Sequence, residues 1–185
     1  MKKLLTAVLL TVSLVCSAAE PPEGMRHLVR VGWGDMLFET LAFQPDFDRS
    51  RLGYTGHIFA EYQYRFTQVV SFGGQFDAEG IFWTQEDKRV RNSNFIIMPT
   101  VRFTWFEREY VSLYSGVGLG LLLSADNAPT VKAAPVFNPN FIGVQAGKGH
   151  WSGSFELGGL LSLTGLNTIY LVGSRIFSVS VNFSW

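Results

Sequence analysis

The last eleven residues, Arg175 to Trp185, read RIFSVSVNFSW and leave the backbone little choice. Phe177, Val179, Val181, Phe183 and Trp185 share one parity, while Ser178, Ser180, Asn182 and Ser184 share the other. Side chains of a strand point alternately to opposite faces, so this strict alternation predicts a strand with one apolar and one polar side. The apolar side carries aromatics at both ends without interruption. The polar side is small and uncharged.

At the other end, MKKLLTAVLLTVSLVCSAA opens with Lys2 and Lys3, runs apolar from Leu4 to Val15, and closes on the small residues Ser17 and Ala19. This is the pattern of a secretory signal peptide over residues 1–19, removed to leave a mature chain that begins at Glu20. The apolar run is shorter than the roughly 20 residues that a membrane-spanning helix needs. Cys16, the one cysteine, has an alternative reading as a lipidated N-terminus. The bulky Val15 before it favours removal with the peptide. The mature chain then has no cysteine, so disulfides are excluded although export would permit them.

Without Lys2 and Lys3, the 15 basic residues fall to 13, against 15 acidic ones. No basic block points to nucleic acid. Aromatics make up 15% of the chain and glycines number 19, an excess of glycine over the usual share of about 7%. The 185 residues have room for one domain of ordinary size. No later run reaches helix-spanning length, which leaves a secreted all-β domain or a membrane barrel.

Alternation predicts strands at His27–Gly34, Tyr54–Tyr64, Val69–Phe82, Asn94–Trp105, Tyr110–Leu123, Val136–Ala146, Trp151–Leu161 and within 175–185. Pro99 cannot donate to a ladder and predicts a bulge or weak pairing in the fourth. Alternation does not assign the faces of the sixth. Turns after strands two, four and six are short, and the connections after one, three, five and seven are longer, among them TQEDKRVRNS and SADNAPTVKAAP. That rhythm predicts an all-β fold: a closed antiparallel up-and-down transmembrane β-barrel of eight strands over residues 20–185, both termini in the periplasm.

A soluble barrel would show the same period with its faces reversed, so the identity of the polar face decides. It holds mostly Gly, Ser, Asn and Gln, and the three lysines of the mature chain, Lys88, Lys132 and Lys148, fall in predicted loops or turns. Small polar residues suit the interior of an eight-stranded barrel, which side chains fill. Trp33, Tyr64, Phe66, Trp105, Trp151 and Trp185 fall near strand ends on the apolar face, the place of an aromatic girdle. Arg175 has lipid-facing parity, at a strand end where such a charge costs about 0–1 kcal/mol.

The terminal strand and the alternation of long and short connections resemble the small eight-stranded outer-membrane barrels, OmpA-like and OmpX-like. VGWGDMLFET and SFELGG are also similar to small barrels of Bacteroidetes-type bacteria. The resemblance implies an outer-membrane location with surrounding lipid and lipopolysaccharide. It also implies that barrel assembly machinery reads Phe177, Val179, Val181, Phe183 and Trp185. A monomer without cofactor or metal is expected.

Arg30, Glu61, Arg102 and Glu156 have interior parity in the periplasmic half, with Arg65 at its rim and Asp77 and Glu79 higher. Buried charges must be paired and hydrogen-bonded. Their roles read as a gate or proton path, or as the structural plug that the OmpA-like resemblance implies. His150, Ser152 and Glu156 supply base, nucleophile and orienter by type. His150-Trp151-Ser152 is similar to the His-x-Ser element of the outer-membrane lipid A deacylase. In that family the site faces outer-leaflet lipid, whereas His150 falls in a periplasmic turn. His27, His57 and His150 lack metal-ligand spacing. Gly116, Gly118 and Gly120 recur at period two and are expected to make room inside the barrel. Loop 35–53, with Phe38, Phe43 and Phe47, is either a surface for an extracellular protein partner or a cover over the barrel mouth.

The expected function is therefore non-enzymatic: a barrel with a plugged polar interior and a structural or surface-contact role. A small channel or conduit for hydrophobic molecules is the alternative, and a lipid A-modifying enzyme the third reading.

Overall fold

The computed structural model describes residues 25–34, 52–85, 88–125, 131–162 and 177–185. The side chains of 52–56, 81–85, 88–92, 131–132, 161–162 and 177 lie outside the description. So do the signal peptide with Cys16, Arg175, and the first loop through 51 with Phe38, Phe43 and Phe47.

The strands are β1 (His27–Gly34), β2 (Leu52–Arg65), β3 (Val70–Gln85), β4 (Lys88–Glu107), β5 (Val111–Ala125), β6 (Val131–Lys148), β7 (Trp151–Gly158), β8 (Leu161–Ser162) and β9 (Phe177–Ser184). Every neighbouring pair is antiparallel, and β1 pairs with both β2 and β9, closing the sheet on itself. β7 and β8 both lie against β6, so they form one interrupted stave and the closed barrel has eight. Both termini of the barrel sit at one end, where the Trp185 amide donates to the His27 carbonyl at 3.0 Å.

β1 has the expected bounds, whereas β2 to β6 run longer than alternation predicted. Apart from residues 86–87, which lie outside the described residues, the charged segment TQEDKRVRNS is strand: β3 continues to Gln85 and β4 begins at Lys88, with Gln85 opposite Lys88. β6 likewise begins inside SADNAPTVKAAP, at Val131. Lys88, Lys132 and Lys148 thus belong to strand ends rather than loops. Polarity hid these extensions. Strand past the apolar belt meets water on its outer side, so the alternation that reveals a strand lapses there.

Irregularities have local causes. Asn140 of β6 faces Gly158 of β7 while Ile142 faces Leu157, so one extra residue, Phe141, is inserted. A bulge shifts parity by one. Ala134, Val136 and Asn138 therefore point inward before it, and Gly143 after it. That switch is why alternation could not assign strand six. The Ser115 hydroxyl of β5 donates to the Phe141 carbonyl at 2.7 Å and satisfies an acceptor at the bulge. Pro139 uses its carbonyl toward the β7 side, accepting from the Gly159 amide at 2.8 Å. Amide and carbonyl of one strand residue point the same way, so its missing N–H falls on that side too. There the stave breaks into β7 and β8. At Pro99 the β4–β5 ladder skips from Ile97–Leu121 to Thr100–Gly118 without a register shift, so the outcome is weak pairing rather than a bulge.

The faces are inside out relative to a soluble protein. Val31, Ile58 and Val181 are each 60% exposed, while Arg30 and Asp77 are 2% and 1% exposed. A reversed, water-soluble barrel is therefore excluded by the orientation of its side chains. Inside, bulk is matched to glycine. A Cβ on Gly32 would lie 2.5 Å from the Phe59 ring, one on Gly120 2.3 Å from the Met98 Cβ, and one on Gly118 2.8 Å from the Met98 Sδ. Gly118 and Gly120 make room as expected, and the group they make room for is Met98. Gly143 does the same for the Tyr114 ring.

Ser115→Ala is expected to lower stability by about 1–3 kcal/mol, the cost of leaving a carbonyl on the outer, apolar face without a donor. Urea unfolding of the protein refolded into bilayers measures this, and Ser112→Ala at the terminal end should change it much less.

Candidate functional site

The polar side of β9 builds one wall of the interior. Ser178 Oγ donates to Glu156 Oε2 at 3.1 Å, Ser180 Oγ to Asn182 Oδ1 at 2.9 Å, and Asn182 Nδ2 to Ser152 Oγ at 3.2 Å. Small side chains on this strand leave space for long ones on its neighbours. Arg30 of β1 fills it.

Arg30 Nη1 lies 2.6 Å from Glu61 Oε2 and its Nη2 2.6 Å from Glu156 Oε1, all three side chains being buried. Glu61 Oε1 also accepts from Gln63 Nε2 at 2.5 Å and Thr100 Oγ1 at 3.0 Å. Glu156 Oε1 accepts from the Tyr114 hydroxyl at 2.7 Å. Each carboxylate thus holds three partners before Arg102 is counted, Ser178 being the third on Glu156. Arg102 stacks on the Tyr114 ring, 3.9 Å from its centroid, and its Nη1 donates to Gln145 Oε1 at 3.3 Å. Its Nη2 stands 3.8 Å from Glu61 Oε2 and 3.9 Å from Glu156 Oε1. Two arginines and two glutamates make an electrically balanced quartet. This arrangement stabilises charges whose separate burial would cost several kcal/mol each.

The other charged candidates form separate sites. Asp77 accepts from Gln75 Nε2 through both oxygens and meets His57 Nε2 at 2.9 Å. Asn94 Nδ2 donates to Glu79 Oε1 at 2.6 Å. Arg65 bonds Glu107 at the terminal rim, with its Nη2 also on the Gln68 carbonyl at 2.6 Å. There the Glu109 carboxylate hydrogen-bonds the exposed Tyr110 hydroxyl and raises that phenol above its ordinary value.

The interior is not polar throughout. On the side of the quartet away from the termini, Ile96, Met98, Leu122, Ala134, Val136 and Leu160 form a cluster whose members are at most 2% exposed. Sequence reasoning missed this layer, and missed His57 and Tyr114 as partners. Parity alone placed Ile96, His57 and Tyr114 inside, but it does not say what they meet.

The proposed hydrolytic trio is not assembled. His150 Nδ1 contacts the Ser184 carbonyl at 2.7 Å, Ser152 takes hydrogen bonds from Gln145 and Asn182, and Glu156 serves Arg30, Tyr114 and Ser178. His27 sits at the rim, stacked on Trp185 with centroids 5.3 Å apart.

Of the girdle residues, Trp105, Trp151, Trp185 and Phe66 are exposed at the terminal end, with Tyr64 half-buried there in edge contact with Phe66. Trp33 is exposed toward the other end of β1. On β9, Val179 and Val181 point outward, and Phe183 lies between Trp151 and Trp185 with centroids at 4.9 and 5.7 Å. The Phe177 side chain lies outside the described residues.

A vestibule of about 170 Å³ opens at the terminal end between Arg26, Arg65, Glu107, Arg108 and Ser152 and reaches inward to Gln63 and Arg102. A chamber of about 20 Å³ continues from Gln63 and Arg102 to Arg30, Glu61, Asn140 and Glu156.

No family model and no curated protein matches the chain. Among solved structures, the N-terminal β-barrel domain of Pseudomonas aeruginosa OprF aligns over 88% of this chain and 100% of its own, at TM-score 0.53 and 11% identity. Two structures of Ail, the attachment invasion locus protein of Yersinia pestis, align over 87% of this chain and 97% of theirs at 11% identity. Their TM-scores are 0.48, for the complex with the heparin analogue sucrose octasulfate, and 0.44. The OprF likeness is one of fold: a closed eight-stranded up-and-down barrel.

Arg30→Met is expected to cost about 3–5 kcal/mol, because it leaves two buried carboxylates facing each other. Adding Glu61→Gln and Glu156→Gln should recover much of the loss. The temperature at which the folded, fast-migrating band disappears on a denaturing gel reads both effects.

Proposed function

We propose that this chain is an integral outer-membrane protein, exported by a cleaved signal peptide over residues 1–19. In this reading its plugged barrel is non-enzymatic and serves the membrane structurally or presents loops for contacts. The observation that carries the reading is the outward apolar belt around a charge network paired from within. Side chains such as Ile97 and Leu119, each 58% exposed, are favoured in hydrocarbon over water by about 1–2 kcal/mol apiece. The fold shared with the OprF domain supports the same location.

In this reading the termini face the periplasm, and membrane lipid and lipopolysaccharide surround the belt. Phe183 and Trp185 belong to the strand that barrel assembly machinery recognises. Loop 35–53 is the surface offered to an extracellular protein partner, and the protein acts as a monomer. The second reading, a small channel, is favoured by one observation: the vestibule penetrates from the terminal end as far as Arg102.

Fractionation and electrophoresis test the location, and bilayer recording tests the plug. The protein is expected in the outer-membrane fraction, migrating faster unboiled than boiled, and silent in planar bilayers. Recovery from the soluble periplasm without a mobility shift would overturn the location. Steady conductance would replace the plug with the channel.

A further inference from the structure

The polar path from the terminal end has a definite inner limit. Gln63 and Arg102 line both the vestibule and the chamber, so the two spaces share a wall. Four buried atoms at the chamber have no hydrogen-bond partner among the described residues, Gln63 Oε1, Asn140 Oδ1, Arg102 Nη2 and Arg30 Nη2, the last being ion-paired to Glu156. A chamber of about 20 Å³ exceeds the roughly 10–15 Å³ that one water needs, and two acceptors beside two guanidinium donors match what a water offers.

Past the quartet the chemistry changes. Met98 fills the space above Gly118 and Gly120, and Ile96, Leu122, Val136 and Leu160 complete a cluster without a polar side-chain atom that hydrates strongly. On the opposite wall Phe59 lies over Gly32, with the Arg30 guanidinium 5.5 Å from its ring centroid. Phe59 therefore sits directly against the quartet. Beside it, His57 and Asp77 are held to each other and to Gln75, each at most 4% exposed.

We propose that the barrel is blind: water and ions reach the arginine–glutamate quartet from the terminal end, and the apolar layer around Met98 and Leu122, not the quartet, is the seal. The inference rests on the plugged-barrel reading and assigns the plug to different residues from those that carry charge. An ion at the quartet meets compensating charge and hydrogen bonds. An ion in the apolar layer would exchange its hydration for Met98, Leu122 and Val136, because Gln75 and Asp77 at that level are already bonded to each other and Asp77 to His57. A dry constriction of this kind blocks passage by excluding water.

Permeability of purified protein in planar bilayers and swelling liposomes separates the two layers. Wild type and Glu61→Gln/Glu156→Gln are expected to be impermeable, and Met98→Ala/Leu122→Ala to raise flux on the order of ten-fold or more, as widening of a dewetted constriction does. Each variant counts only with the fast unboiled band of a folded barrel. A quartet variant that conducts, or a folded Met98→Ala/Leu122→Ala that stays silent, would overturn the assignment. Conductance in wild type would instead sink the plugged reading itself.

Gentler substitutions give an independent arm on a Cys16→Ser background. Ser71→Cys, in the vestibule, should react with a small charged thiol reagent in the folded protein. Val136→Cys, in the apolar layer, should resist until unfolding. Equal reaction rates would also overturn the proposal.

Discussion

Closure is the constraint on which everything else in this protein depends. A sheet with an apolar outer face cannot leave an edge of unpaired amides and carbonyls next to hydrocarbon, since each such group would cost several kcal/mol. Pairing of β1 with β9 removes that edge down to the last residue, where Trp185 and His27 exchange backbone hydrogen bonds. The two departures from regular pairing on β6 obey the same rule. The acceptor at the Phe141 bulge is met by Ser115, and the donor missing at Pro139 coincides with the break between β7 and β8. An aromatic C-terminal strand with a small polar reverse side suits this joint, because it presents bulk outward and leaves the lumen to its neighbours.

Closure of eight strands makes a narrow lumen, and this narrowness sets the interior chemistry. Phe59, Met98 and Tyr114 fit only because Gly32, Gly118 with Gly120, and Gly143 stand opposite them. The glycines at period two are packing sites for particular large side chains, not general spacers. Tyr114 then serves twice, as a platform for Arg102 and as a hydroxyl donor to Glu156. Packing and electrostatics are joined at that ring, so the charge quartet and the apolar layer are built from the same tongue-and-groove contacts.

Much of this architecture is legible in the amino-acid sequence. Parity places Arg30, Glu61, Arg102 and Glu156 inside, and Val31, Ile58 and Val181 outside, as they are found. It errs where its premise fails. At 84–93 both faces of the strands are polar, so extended β3 and β4 read as a loop. On β6 a single inserted residue reverses the faces midway.

Side-chain alternation is a local property of extended backbone, so the amino-acid pattern alone sorts the side chains of β1, β2, β7 and β9 into an outer apolar face and an inner polar one. Closure of the sheet decided that Arg30 bridges Glu61 and Glu156 while Arg102 is left to Tyr114 and Gln145. It also decided that Ile96, Met98, Leu122, Val136 and Leu160 meet in one layer. Those meetings depend on the stagger with which the sheet closes. Stagger is a sum over all strand registers and bulges, and no local pattern encodes it.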